Sequence, residues 1–466
     1  MNSFINRYTL VASFILSIIS ILILQNLVLG IFLSIFLIAS QVYERNFIIS
    51  CVIISFLIFS SDIESSYRIT INIILTCILL YYFIKDKGLK INAYKKVPDF
   101  ILNYILITLF IMLLSSLFSQ AILVGLEQAI RQIFFFFIVY FIYNLISFKD
   151  IERLLLTLIV VGMVLSLAIL YQFILSGFSF SWFLNFSGTR FGGIISNVNA
   201  AGGILAITIP LGLLLYLLNR EHNCYKLINI VLILIMFLGL LLTNSRASMG
   251  AVFLSIFFIL FVLYPSLRKY LLLIPLSIIF IFILVPVLNN FAYYYFRLGN
   301  FEANREYFWQ TALYVFKDHW ILGTGPAQFA ANIYNSIPYM IGSFAEYQIH
   351  GLLLEGAGSG HAHNFYLFFA SELGIPGLFL SLSFPIICGY LIIKCIKLSK
   401  NYNRRIYIIS ISLAGITIGL FVRSFFESTG LITYGWISRD LPFWLILIVL
   451  IIIFNHLNKI KLAHAE

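Results

Sequence analysis

Apolar residues run along this chain in long uncharged blocks, and polar residues are confined to the gaps between them. A bilayer core takes roughly 20 apolar residues per helix, somewhat fewer where the membrane thins. With that ruler the pattern predicts spans at 9–25, 27–42, 47–61, 69–84, 100–124, 132–148, 154–177, 194–218, 227–243, 247–264, 271–288, 364–393, 406–422 and 441–457. The first two are short and share one uncharged stretch, so the pattern gives twelve to fourteen helices. Arg7 ahead of the first block resembles a signal peptide. No small-residue cleavage site follows and a second apolar block begins at once, which predicts an uncleaved first span.

The fold class expected is therefore an all-α polytopic membrane protein. The blocks divide it into N-terminal transmembrane helices over 1–178, central transmembrane helices over 179–288, a long external loop over 289–362 and C-terminal transmembrane helices over 363–466. Within the loop, Asn304 to Lys317 has a helical pattern, and Leu322-Gly323-Thr324-Gly325-Pro326 ends it with turn residues. Short helices lying on the membrane surface like a lid are expected there.

Composition agrees with a membrane protein. Hydrophobic residues make up 62% of the chain, charged residues 10%, and mean hydropathy is +1.03. A soluble domain is nearer half apolar and about a quarter charged. Cys51, Cys77, Cys224, Cys388 and Cys395 are scattered without metal-ligand spacing and read as free thiols.

Charge then orients the chain. With the N-terminus inside, twenty of the 29 basic residues fall in inside segments and both termini are cytoplasmic. The nine outside are Arg68, Arg131, Arg190, Arg246, Arg297, Arg305, Lys317, Arg423 and Arg439, eight of them arginine. Lysine is a sufficient topological charge, whereas arginine offers a planar fork that grips phosphate or carboxylate at two points. The plainer alternative pairs these arginines with the eleven outside acids. The net charge of +11 is carried by the inside segments and points to topology and membrane lipid, not to nucleic acid.

Three polar groups gather at the outside ends. The first runs Ser187-Gly188-Thr189-Arg190-Phe191-Gly192-Gly193 and on to Asn197 and Asn199, then Ala200-Ala201-Gly202-Gly203. Those last four suit close helix packing; Arg190 has no nearby acid in sequence. The second is the tight turn Thr243-Asn244-Ser245-Arg246-Ala247-Ser248. A lone arginine there could snorkel to headgroups, but the crowded Asn and Ser residues favour a polar pocket. The third is His361-Ala362-His363-Asn364-Phe365-Tyr366-Leu367, with Glu372 downstream. Two histidines at this spacing are weak evidence for a metal, and no zinc pattern supports one. A neutral imidazole is the natural base for taking a proton from a hydroxyl. No Walker loop or GxSxG elbow occurs.

Taken with Arg305 and Trp309, the run Gly323-Thr324-Gly325-Pro326-Ala327-Gln328-Phe329 and the pair of motifs His361 to Leu367 and Glu372-Leu373-Gly374-Ile375-Pro376-Gly377-Leu378, the sequence resembles the O-antigen ligase and polymerase family over roughly 180–395. The resemblance implies a metal-independent glycosyltransferase of the bacterial inner membrane, needing no cofactor. It would move a glycan from undecaprenyl diphosphate to an acceptor hydroxyl on the outer face. His363 would be the base, with His361 contributing; Arg190, Arg246 and Arg305 would hold the diphosphate; Asn244, Ser245, Asn364, Tyr366 and Glu372 would support them. The acceptor is lipid A–core in a ligase and a second lipid-linked glycan in a polymerase. The alternative class is a solute transporter of the bicarbonate type, against which stands the gathering of polar residues at one rim.

Overall fold

The computed structural model describes residues 45–59, 65–87, 94–177, 190–195, 197–218, 223–273, 277, 284, 305–336 and 361–463. Thirteen α-helices and no strands occur among them. They are α1 (Arg45–Phe59), α2 (Ser65–Lys87), α3 (Asp99–Leu117), α4 (Ile122–Leu145), α5 (Ile151–Leu175), α6 (Val198–Leu218), α7 (Asn223–Thr243), α8 (Arg246–Leu263), α9 (Arg305–Asp318), α10 (Phe329–Ser336), α11 (Phe365–Lys400), α12 (Arg404–Arg423) and α13 (Ile437–Ala463). Ten of them, α2 to α8 and α11 to α13, are long and apolar enough to cross a membrane, and α1 is a shorter apolar helix. The chain is a multi-pass membrane protein. The expected spans at 9–25 and 27–42 lie outside the described residues, as does nearly all of 271–288.

One boundary differs from the sequence reading. The predicted span 100–124 ends at Leu117, and α4 begins at Ile122, ten residues before the predicted 132. The break is held by polar contacts that apolar periodicity cannot register. The Ser119 hydroxyl donates to the Ser116 carbonyl at 2.7 Å, and Ala121 exchanges two 3.1 Å bonds with the Gln328 amide.

α13 is the central helix. It packs against α1, α4, α6, α11 and α12, and Phe443 and Trp444 are buried within it. In lipid, helices associate by close packing rather than by the hydrophobic effect. On α12, Gly415 and Gly419 let the backbone meet the Ala251 and Ser255 carbonyls of α8, where a Cβ would overlap them. Opposite faces carry exposed side chains such as Leu106 and Phe110 of α3 and Leu234 of α7, which suit contact with acyl chains.

Arg423 bonds to Ser248, Thr429 and the Asn199 carbonyl, and Phe365 to the Ser424 carbonyl, so the N-terminal ends of α6, α8, α11 and α13 and the C-terminal end of α12 share one end of the bundle, called here the site end. The helix expected over Asn304 to Lys317 appears as α9, whose Phe308, Thr311, Ala312 and Val315 are buried at helical spacing. This stripe faces α11. α11 itself is broken at Gly374, whose φ of 67° and ψ of −153° lie outside helical space.

Candidate functional site

The site end is assembled from helix termini whose caps are written in the local sequence. Asn197 accepts from the Asn199 and Ala200 amides at 3.0 Å and so starts α6. Asn364 does the same for α11, accepting from Tyr366 and Leu367 at 2.9 and 3.0 Å. Its amide nitrogen donates to the Phe425 carbonyl at 3.0 Å, which ties α11 to the segment after α12. Asn244 takes a left-handed φ of 46°, a region that asparagine tolerates, and turns the chain into α8 with Ser245 at the N-cap position. Helix starts present free backbone N–H groups and a positive dipole end, so this clustering favours an anion.

Arg423 binds these ends together. It is 3% exposed, and all of its guanidinium nitrogens are engaged. Nε donates to Ser248 Oγ at 3.1 Å, Nη1 to the Thr429 carbonyl at 2.7 Å and Nη2 to the Asn199 carbonyl at 2.8 Å. Gly203 makes room for it, because a Cβ there would lie 2.9 Å from Nη2. Gly202 likewise admits Ser245, so the packing role expected of these small residues holds. Arg190 reaches the same junction. Its Nε donates to the Thr243 carbonyl at 3.0 Å and Nη2 to Asn199 Oδ1 at 2.7 Å. Arg190 and the turn at Asn244 and Arg246, far apart in sequence, are thus brought to one place. Ser187, Gly188 and Thr189 lie outside the described residues.

Beside this junction sits the histidine that the sequence singled out. His363 has a left-handed φ of 49°, uncommon for a residue other than glycine though histidine is among those that tolerate it. Its Nδ1 lies 3.2 Å from Glu427 Oε1. Glu427 is buried and also faces Arg305, whose Nη2 lies 3.7 Å from Oε2. Burial alone would raise the Glu427 carboxyl. His363, Arg423 and Arg305 outweigh that and hold it well below the usual carboxylate range. Glu427 is therefore an anion across the physiological range. It fixes the His363 proton on Nδ1 and leaves Nε2 as the basic atom. Phe308 packs edge-on against His363 with centroids 5.4 Å apart, and the Trp309 indole approaches the His363 carbonyl at 3.5 Å. α9 thus covers the histidine as a lid would. Tyr366 shares a 3.2 Å hydrogen bond with Ser424 and packs on Phe425.

His361 behaves differently. Its ring stands edge-on to Phe368 at 5.2 Å. Burial lowers its pKa to about 4, with Arg439 and His363 adding to the effect and Glu427 opposing it. It is neutral at pH 7 and packed against an aromatic ring.

Glu372 does not reach His363. Its carboxylate accepts from the Ala327 and Phe329 amides at 2.8 and 3.1 Å, and its carbonyl accepts from Gly325 at 3.0 Å. Its work is to clamp the turn that precedes α10. Gly323 and Gly374 cross there, and a Cβ on either would overlap the other strand's backbone. The two motifs are one structural joint.

Sequence reasoning missed Glu427 and the organising role of Arg423. A carboxylate and an arginine four residues apart in Arg423-Ser424-Phe425-Phe426-Glu427, set among apolar residues, were the available signal.

Residues 231–382 match the family model described as O-antigen ligase. The match takes in Asn244, Ser245, Arg246, Arg305, His361, His363, Asn364, Tyr366 and Glu372, and leaves Arg190, Arg423 and Glu427 outside it. It supports the resemblance that the motifs suggested. No curated protein matches the chain.

Proposed function

We propose that this protein transfers a glycan from undecaprenyl diphosphate to an acceptor hydroxyl at the outer face of the bacterial inner membrane, without a metal. The observation that carries the reading is the His363–Glu427 pair, lodged among arginines and helix starts in and beside a segment matched to O-antigen ligases. His363 Nε2 takes the acceptor proton. The acceptor oxygen bonds to the anomeric carbon, the bond from that carbon to the diphosphate oxygen breaks, and the electron pair leaves with undecaprenyl diphosphate. Arg190, Arg246 and Arg305, with the α6, α8 and α11 starts, stabilise the charge that grows on the leaving group. Glu427 offsets the positive charge that His363 gains on accepting the proton.

Lipid A–core is the acceptor we assign, and a second lipid-linked glycan is the competing one. Purified protein is given undecaprenyl-diphosphate oligosaccharide with and without lipid A–core, and the glycan is followed by gel mobility. His363-dependent transfer to lipid A–core supports the ligase. Longer lipid-linked chains make it a polymerase. No turnover with any glycan donor, alongside solute flux in liposomes, overturns the reading in favour of transport.

A further inference from the structure

A cavity separate from the histidine site opens at the other end of the bundle. It holds about 870 Å³ between the N-terminal end of α3, the C-terminal ends of α4 and α13, and α11. That volume falls in the range of roughly 300–1,000 Å³ typical of small-molecule pockets. Its walls are fastened by the protein's own hydrogen bonds. The Asn455 amide of α13 donates to the Lys96 carbonyl at 2.9 Å and to the Tyr143 hydroxyl at 2.8 Å, and that hydroxyl donates to the same carbonyl at 2.9 Å. The Lys95 backbone amide donates to Asn144 Oδ1 at 2.8 Å, while its ammonium caps the end of α4 at the Tyr143 and Ile146 carbonyls. These bonds hold residues 94–98 against α4 and α13 as a fixed wall.

The lining changes character with depth. On the inner side Phe100 meets Tyr390 and Phe454 edge-on, with centroids 5.3 and 6.2 Å apart, and Ile452 extends this apolar wall. On the outer side stand Lys96 and Lys459, both exposed. Lys459 is one turn beyond Asn455 and shares its face of α13. Lys394 adds a third cation, its Nζ 5.3 Å from the centroid of Tyr390. Among the lining residues Asp99 is the one acid. It lies 3.4 Å from Lys96 in a pair whose side chains are mostly exposed, a contact that constrains the lysine little. The inner side opens toward acyl chains. Tyr390 is 48% exposed within the span of α11, and Ile386 and Ile393 on either side of it are exposed as well. Cations at the helix ends above aromatic and aliphatic surface match an amphiphile with an anionic head. A soluble phosphate would use the outer part alone.

We propose that this cavity binds an anionic phospholipid, with its phosphate between Lys96 and Lys459 and an acyl chain along Phe100, Tyr390 and Phe454. Lysine is a compact point charge for phosphate, and basic pockets between transmembrane helices suit lipid headgroups. The bound lipid would join α3 to α13, the central helix, and so stabilise the folded bundle. The site lies at the opposite end from His363 and stands whether or not the transfer reading holds.

The test is thermal melting of the purified full chain in uncharged detergent while short-chain phosphatidylglycerol is titrated. Phosphatidylcholine with the same chains keeps the tails and cancels the headgroup charge. Glycerol 3-phosphate keeps the phosphate and lacks the tails. Phosphatidylglycerol is expected to raise Tm saturably by about 2–4 °C at high occupancy, and the other two to leave it near its starting value. The rise should be lost in the double variant Lys96→Gln/Lys459→Gln and kept in Lys269→Gln, which removes an exposed lysine that does not line the cavity. Both replaced lysines are exposed, so the double variant should melt like the wild type before lipid is added. An equal rise with phosphatidylcholine overturns recognition of the charge. A full rise with glycerol 3-phosphate gives the lysines to a soluble phosphate and overturns the lipid. A rise that survives in the double variant, or none with phosphatidylglycerol, overturns the site itself.

Discussion

The two ends of the helix bundle use charge in opposite ways. At the site end, Arg423 and Glu427 are 3% and 4% exposed and tied to backbone carbonyls, histidine and arginine. At the other end, charges pair at the surface, as Arg405 does with Glu152, Arg45 with Asp86 and Lys96 with Asp99. The lysine-rich end loses little by keeping its charges wet. The arginine-rich end gives up hydration, and on the proposed reading fixed charge close to a reacting bond is what it gains in return. Buried ion pairs seldom add stability in proportion to their desolvation cost, so chemistry is the better account of their presence.

That contrast can be broken by substitution. His363→Ala should lower transfer by about 10²- to 10⁴-fold while the melting temperature holds, and Glu427→Gln should lose part of the same rate by freeing the ring. Glycan transfer assayed beside thermal melting checks both; full activity in His363→Ala removes the proposed base. Arg246→Lys keeps the charge and loses the two-point grip, so a fall of about tenfold in kcat/KM for the lipid diphosphate is expected. An unchanged value would leave Arg246 as a residue that merely reaches to the headgroups.

Smaller effects sharpen the comparison. His361 has a folded pKa of about 4 against an ordinary value near 6.5. Between those values the unfolded chain binds more protons than the folded one, so stability rises with pH across that window and falls as pH drops through it. His361→Gln should flatten this dependence in melting curves taken from pH 4 to 7. At the opposite end, Arg405→Ala should cost under about 1 kcal/mol and leave transfer unchanged, as an exposed pair allows. A large loss there would erase the distinction between the ends.

Much of this arrangement was readable from the chain. The apolar blocks located the described spans, the run from Asn304 to Lys317 became α9, and the motif around His363 fell at the site. What the sequence hid were partners that pair across long separations. Glu427 lies 64 residues from His363, and nothing local in Arg423-Ser424-Phe425-Phe426-Glu427 says which histidine it serves. Glu372 misled for the same reason. An acid close to His363 in sequence points elsewhere, because α11 carries its carboxylate to the amides of Ala327 and Phe329. The turn between α3 and α4 was invisible because its anchor, Gln328, arrives from the distant segment between α9 and α10.

The break at Gly374 separates two duties that one straight helix would have fused. Residues 375–400 are long enough to cross a bilayer alone, which takes about 20. The stub from Phe365 to Leu373 is fastened instead to the segment before α10, through Thr324 on Ser371 and Gly325 on Glu372, while Ile375 on Trp320 anchors the first residue past the break. Tilting of the long portion in thicker or thinner membranes is then taken up at a hinge and does not travel to the histidine at the head of the stub. Turnover in nanodiscs should accordingly vary little with acyl-chain length, a tolerance useful to a site built at the end of a membrane-spanning helix.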